Sequence, residues 1–208
     1  MNTHSDEQDD AVPAEVSSEL SSASDESGAA TFSLAPFTLA TADNSLCVRF
    51  AWIEDRFWHR VAWGDDAVSS EASNADEGAQ SVEGDARGDW PPSPPLQQLS
   101  QETINGGAVM FGVGAAGKSH WSLSVEGIET QSGPGLKFQW ACRHKTEPRF
   151  LGTTYEHAGL LDIIAGPDAR LRKETDGRTV IEPMNKSSSG TECWSYVIVA
   201  PAGQTSRA

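Results

Sequence analysis

The sequence predicts an all-β fold, an antiparallel sandwich or barrel of roughly eight to ten short strands. Three observations carry that expectation. From residue 31 onward apolar residues recur with a period of two, turn residues interrupt the alternating runs at short intervals, and no segment carries a long amphipathic helical stripe. The 208-residue chain accommodates one such domain with tails. Its expected organisation is an acidic disordered tail over residues 1–30, a β domain over 31–202 with a mobile acidic insertion at 65–89, and a C-terminal tail over 203–208.

The first clear strand is the run in which Leu46, Val48, Phe50 and Trp52 alternate with Cys47, Arg49 and Ala51, giving one buried face. After the polar pair Glu54-Asp55, the residues Phe57, His59, Val61 and Trp63 repeat the pattern. A two-residue turn at that pair sets a hairpin register of Trp52 with Phe57, Phe50 with His59, Val48 with Val61 and Leu46 with Trp63. It also sets Arg49 opposite Arg60, which is unfavourable unless acids or an anion lie between them. His59, alone on an apolar face, is expected to be a hydrogen-bonded core histidine.

Residues 89–96, Asp-Trp-Pro-Pro-Ser-Pro-Pro-Leu, hold four prolines and so cannot form a central strand or a helix interior. An extended connection lying against core aromatics is expected, ahead of a docking peptide for a proline-recognition domain. Farther on, Trp121, Leu123 and Val125 alternate before Ser132-Gly133-Pro134-Gly135, and Leu136, Phe138, Trp140 and Cys142 after it, as in a hairpin with a longer loop. Residues 159–165 fit either a short helix or a strand. Asp176-Gly177 has the composition of a type I′ turn between residues 169–175 and 178–182. The run from Cys193 to Val199 is expected to be a central strand buried on both faces.

The formal charge of −15 is confined to two segments. Residues 1–30 hold eight acids and no Lys or Arg; residues 65–89 hold eight acids and Arg87 alone. The remainder is balanced, with 14 acids and 14 bases. No basic surface of the kind that releases counterions from phosphates is left over, so no nucleic-acid partner is expected. The N-terminus has neither a positive n-region nor an apolar h-region, and no run approaches a membrane span, so a cytoplasmic protein without membrane contact is expected. Cys47, Cys142 and Cys193 are widely spaced within apolar stretches and form no Cys-x-x-Cys pair, the usage of buried reduced thiols rather than a zinc site. No cofactor or metal is expected.

One motif stands against the all-β reading. Residues 112–119, Gly-Val-Gly-Ala-Ala-Gly-Lys-Ser, match the phosphate-binding P-loop, with Gly112, Gly117, Lys118 and Ser119 as its nucleotide-binding positions. The mechanism needs a helix starting at the Lys-Ser, whose N-terminal dipole completes the phosphate site. The residues that follow alternate as a strand, and the nearest stand-in for the downstream acid that helps hold magnesium, Asp162, is a weak one. The glycines are therefore expected to permit a tight connection between a strand at 107–113 and one at 119–126.

The block from Gly117 to Glu126, with Trp90-Pro91-Pro92-Ser93-Pro94-Pro95-Leu96 before it and Ala141-Cys142-Arg143 after it, resembles an uncharacterised family of bacterial proteins. The resemblance spans residues 31–157. It implies no activity and carries over no functional residues.

Candidate ligand-binding residues lie on the polar side of the hairpin that follows the glycines: His120, Ser122, Ser124 and Glu126 on one strand, Lys137, Gln139 and Arg143 on the other. Such a row suits a polar ligand, with Trp58, Trp121 or Trp140 at an edge to stack on a sugar or ring. The function expected is therefore non-enzymatic binding of a small ligand or a protein partner. The alternatives are nucleotide binding at 112–119 and a hydrolase using His120 and Glu126. Against the hydrolase, six residues of strand separate those two by about 20 Å, and Ser119 and His120 point to opposite faces. A metal site from His120, His144, His157 and Glu156 lacks ligand spacing. Arg143, His144, Lys145 and Arg149 form a candidate basic patch for an anionic ligand, with pairing to Glu147 and Glu156 the expected fate of those charges.

Overall fold

The computed structural model describes residues 36–64, 78–84 and 88–200. The tails expected at 1–30 and 203–208 lie outside the described residues, as do 65–77 and 85–87 of the acidic insertion. In chain order the strands are β1 (Phe37–Ala40), β2 (Leu46–Ile53), β3 (Arg56–Trp63), β4 (Ala79–Ser81), β5 (Gln98–Ile104), β6 (Gly107–Ala116) and β7 (Ser119–Thr130). They continue as β8 (Gly133–His144), β9 (Thr153–Glu156), β10 (Asp162–Ala165), β11 (Ala169–Lys173), β12 (Thr179–Pro183) and β13 (Gly190–Val199). One 3-10 turn, Ala158–Leu160, precedes β10, so residues 159–165 hold a helical turn and a strand in succession.

The strands form two antiparallel sheets that pack as a sandwich. Seven strands run in the order β1-β2-β3-β4-β9-β12-β11, and six in the order β10-β13-β8-β7-β6-β5. Between them lies one core in which Leu46, Val48, Phe50, Val61, Tyr155 and Ile181 from the first sheet meet Met110, Leu123, Phe138, Trp140, Trp194 and Tyr196 from the second. Trp194 stacks on Trp140 with ring centroids 6.2 Å apart and meets the edge of Trp121 at 6.1 Å. Trp121 and Trp140 are therefore core residues, not edge platforms for a sugar.

The β2–β3 register is the expected one, pair by pair, including Arg49 opposite Arg60. Other turns differ. Thr130 pairs with Gly133, so the β7–β8 hairpin turns in two residues, and Pro134 and Gly135 belong to β8. Gly177 has φ +87 but Asp176 does not share the left-handed region, and the Gly177 amide donates to the Glu174 carbonyl at 3.1 Å. That is a type I turn closed by a left-handed glycine. The type I′ geometry occurs instead at Asn105-Gly106, with φ +52 and +82, between the paired residues Ile104 and Gly107.

The acidic insertion contributes to the fold. Ala79 and Gln80 pair with β3, and Gln80 and Ser81 with β9, so β4 is central in its sheet although it lies within the stretch expected to be mobile. Ala79, Ser81 and Glu83 all sink into the protein. β13 is central too, between β10 and β8, but buried on one face only: Cys193 is exposed, and Ser195 and Val197 are half-buried. Of the three thiols, Cys47 and Cys142 are buried and reduced, whereas Cys193 reaches the surface.

The proline segment crosses from one sheet to the other at an end of the sandwich. Ser93 Oγ accepts from the Thr154 amide and donates to the Thr154 carbonyl, both at 3.1 Å, and Thr154 Oγ1 donates to the Pro92 carbonyl at 2.8 Å. The Phe57 amide donates to the Leu96 carbonyl at 2.7 Å, and the Gln97 amide to the Val113 carbonyl at 2.9 Å. Pro91, Pro94, Pro95 and Leu96 are buried. This strap is the extended connection expected, with Trp90 meeting the ring of His144 edge-on at 5.9 Å.

Candidate functional site

The strap explains the glycines. Gly112 and Gly114 lie inside β6 on its inner face, opposite Leu123 and Trp121. A Cβ on Gly114 would overlap the Pro95 carbonyl, and one on Gly112 would come within 3.0 Å of both Leu96 and Leu99. Gly117, at φ +53, forms the turn, and a Cβ there would overlap the Asp89 carboxylate. The connection between strands is therefore only Gly117-Lys118; the other glycines make room for the strap. No helix follows Ser119, which begins β7. Its hydroxyl donates to the Ala116 carbonyl at 2.6 Å and accepts from the Trp121 indole at 2.9 Å. Lys118 is exposed at the hairpin tip. Without a helix N-terminus the segment lacks the dipole and converging amides that hold phosphate, and Asp162 sits apart on the edge strand β10.

The seven residues anticipated for a polar ligand do share one surface, the outer face of the six-stranded sheet. Cross-strand pairing sets His120 beside Arg143, Ser124 beside Gln139 and Glu126 beside Lys137, with Ala141 beside Ser122. β6 extends these rows with Ala115, Val113, Phe111 and Val109, and β13 with Thr191, Cys193, Ser195 and Val197. The middle two rows, Ser122-Ala141-Cys193 and Ser124-Gln139-Ser195, carry short side chains apart from Gln139. Larger groups stand on either side: Glu126 and Lys137, joined by an ion pair of 3.3 Å, and at the other end His120 and Arg143. The result is a depression of about 380 Å³ across the middle of the sheet, with Phe111 at one margin and Asp168 at the other.

Asp168 belongs to the turn between β10 and β11. Its Oδ1 accepts from the Ser195 amide at 3.0 Å and the Ser195 hydroxyl at 2.7 Å, which pins that turn against the depression. Gly166 allows the approach, since a Cβ there would overlap Ser195 Oγ. Four contributors were not among the ligand-binding residues expected from the sequence: Phe111, Asp168, Cys193 and Ser195. For Cys193 and Ser195 the signal existed, because they alternate with Trp194, Tyr196 and Ile198. Asp168 carries no local signal; only tertiary pairing brings it there.

The depression does not have the geometry of a general acid–base pair. His120 and Glu126 share the face but stand six residues apart on β7, about 20 Å by strand rise. Among the described residues no group of three His, Cys, Asp or Glu side chains is placed to hold a metal. The suggested ligands are dispersed: His120 faces outward, His144 is buried under Trp90, and Glu156 pairs with Arg178 at 3.0 Å rather than with the 143–149 cations.

A second polar cluster lies in the core. His59 Nε2 is 2.8 Å from Tyr155 Oη, which is 2.8 Å from Tyr196 Oη, and the Trp140 indole donates to Tyr196 Oη at 3.1 Å. The expectation for His59 is met. Beside this chain Glu83, 1 % exposed, finds no hydrogen-bond partner of good geometry among the described residues. Burial pushes its carboxyl up to about 7, against the opposing pull of the Ser81 hydroxyl and the Arg56 charge. Burial likewise pushes His59 down to about 3.

The two shifts act on stability in opposite directions. Neutral His59 contributes stability that is present above its usual value of 6.5 and lost as pH falls toward about 3. Neutral Glu83 contributes stability that is present below its usual 4.5 and lost as pH rises toward about 7. Where those windows overlap, between 4.5 and 6.5, the slopes cancel, so wild type is expected to be most stable in weakly acidic solution. Urea denaturation from pH 3 to 8 checks this. His59→Gln removes up to about 1.4 kcal/mol per pH unit from the acid limb, and Glu83→Gln removes a similar slope on the other side. Variants with unchanged slopes would contradict the assignment.

No helix among the described residues is long and apolar enough to cross a membrane. Comparison of the chain with protein-family models, with curated proteins and with solved structures found no match to any of them.

Proposed function

We propose that this protein is a non-enzymatic binding module whose ligand is a neutral, hydroxyl-rich molecule of the saccharide class, held on the outer face of the six-stranded sheet. The observation that carries the reading is the trough of short polar side chains between two walls, closed at its ends by Phe111 and Asp168. Its floor is about 7 Å wide along the strands and about 15 Å long across four of them, room for one or two sugar rings. The Ser122 and Ser124 hydroxyls and the Gln139 amide both donate and accept, which suits ligand hydroxyls that do the same, while Ser195 Oγ, its proton held by Asp168, is left to accept. Phe111 offers an aromatic ring to the C–H face of a sugar. The bordering charges offset one another, Glu126 against Lys137 and Asp168 against Arg143, so the trough carries no net charge that would favour a strong anion or a cation.

Titration with a panel of neutral mono- and oligosaccharides, followed by amide chemical shifts, tests the reading. Shifts are expected at Ser122, Ser124, Gln139 and Ser195. Gln139→Ala and Phe111→Ala should each weaken binding about tenfold, or about 1.4 kcal/mol. Ser124→Trp, which fills the trough from a solvent-facing position, should abolish binding without unfolding the protein. Saccharide binding that survives Ser124→Trp, or shifts clustered at 112–119 with magnesium nucleotides, would overturn the proposal.

A further inference from the structure

The six-stranded sheet ends on β5, whose residues are all exposed except for half-buried Leu99. It is the longest edge strand of the four, with seven residues against four in β1, four in β10 and five in β11. An edge strand carries unpaired backbone donors and acceptors and is ordinarily protected by charge, proline, a bulge or brevity. β11 has such protection in Arg170, Arg172 and Lys173. β5, Gln98-Leu99-Ser100-Gln101-Glu102-Thr103-Ile104, contains no proline and no cation, and pairs with β6 without a bulge from end to end. The type I′ turn at Asn105-Gly106 closes the β5–β6 hairpin.

We infer that β5 is a homodimerisation edge, pairing antiparallel with β5 of a second copy about a two-fold axis at Gln101. That register matches all seven residues: Gln98 with Ile104, Leu99 with Thr103, Ser100 with Glu102, and Gln101 with itself. The single charge, Glu102, then faces a serine hydroxyl that can donate to it. A shift that centres the axis on Glu102 sets two carboxylates together, so charge disfavours that register. The two-fold axis runs perpendicular to the sheet, which makes one twelve-stranded sheet with both outer faces on the same side. The contact is narrow and each copy carries −15, so association is weak at low ionic strength and strengthens with salt.

Sedimentation equilibrium at 10–500 µM, in low and in 0.5 M salt, reads the effect directly. A monomer–dimer equilibrium that tightens with salt is expected. Gln101→Lys and Gln101→Glu, each setting like charges opposite one another, should weaken self-association at least tenfold, and an equimolar mixture of the two should restore a dimer. Circular dichroism of each variant confirms the fold. A wild type that stays monomeric throughout, or a dimer that both variants form as well as wild type, would overturn the inference.

Discussion

Gly114→Val is expected to lower stability by about 3 kcal/mol or more, whereas Lys118→Ala should change it by less than about 0.5 kcal/mol. The contrast follows from what each residue meets. A side chain at Gly114 enters space held by the Pro95 carbonyl, and Pro95 belongs to a buried strap anchored by backbone bonds at Thr154, Phe57 and Val113. The strap cannot retreat without breaking some of them. Lys118 is exposed at a hairpin tip. A phosphate-binding loop would show a different pattern, because its lysine would govern ligand-dependent stability. Thermal and urea melts with and without magnesium nucleotides separate the two, and a nucleotide-induced rise in Tm that Lys118→Ala removes would contradict the packing account.

Ala79→Asp is expected to be the other severe change, costing several kcal/mol and unfolding the protein under mild conditions, since it places a carboxylate in an apolar core. Ala79 is fully buried in a strand between β3 and β9. The neighbouring Gln80→Ala loses one half-buried bond to the His59 carbonyl, of 3.2 Å, and should cost about 1 kcal/mol. Urea denaturation of the two variants compares the inward and outward positions of one short strand. If both were tolerated alike, the acidic insertion would contribute no strand to the sheet.

How far the sequence led depended on whether each feature is local. The β2–β3 register was legible because a two-residue turn leaves one pairing that keeps Leu46, Val48, Phe50 and Trp52 on the same side as Phe57, His59, Val61 and Trp63. The outward position of the seven polar candidates was legible for the same reason, since period two alone assigns faces. β4 was hidden because Ala79-Gln80-Ser81 has no branched or aromatic residue and sits among acids; tertiary pairing makes it a strand. The role of Gly112 and Gly114 was hidden because the strap that needs the space is remote in sequence. Asp168 reached the trough through its bonds to Ser195, a contact between a turn and the strand β13 that no periodicity records.

The most direct test is the backbone of residues 107–130 in solution. Carbon chemical shifts should be those of extended chain on both sides of Gly117-Lys118, with Gly114 Hα giving nuclear Overhauser contacts to Pro95 and cross-strand contacts to Trp121. Helical shifts beginning at Lys118, or a Gly114 without contact to the strap, would contradict the account.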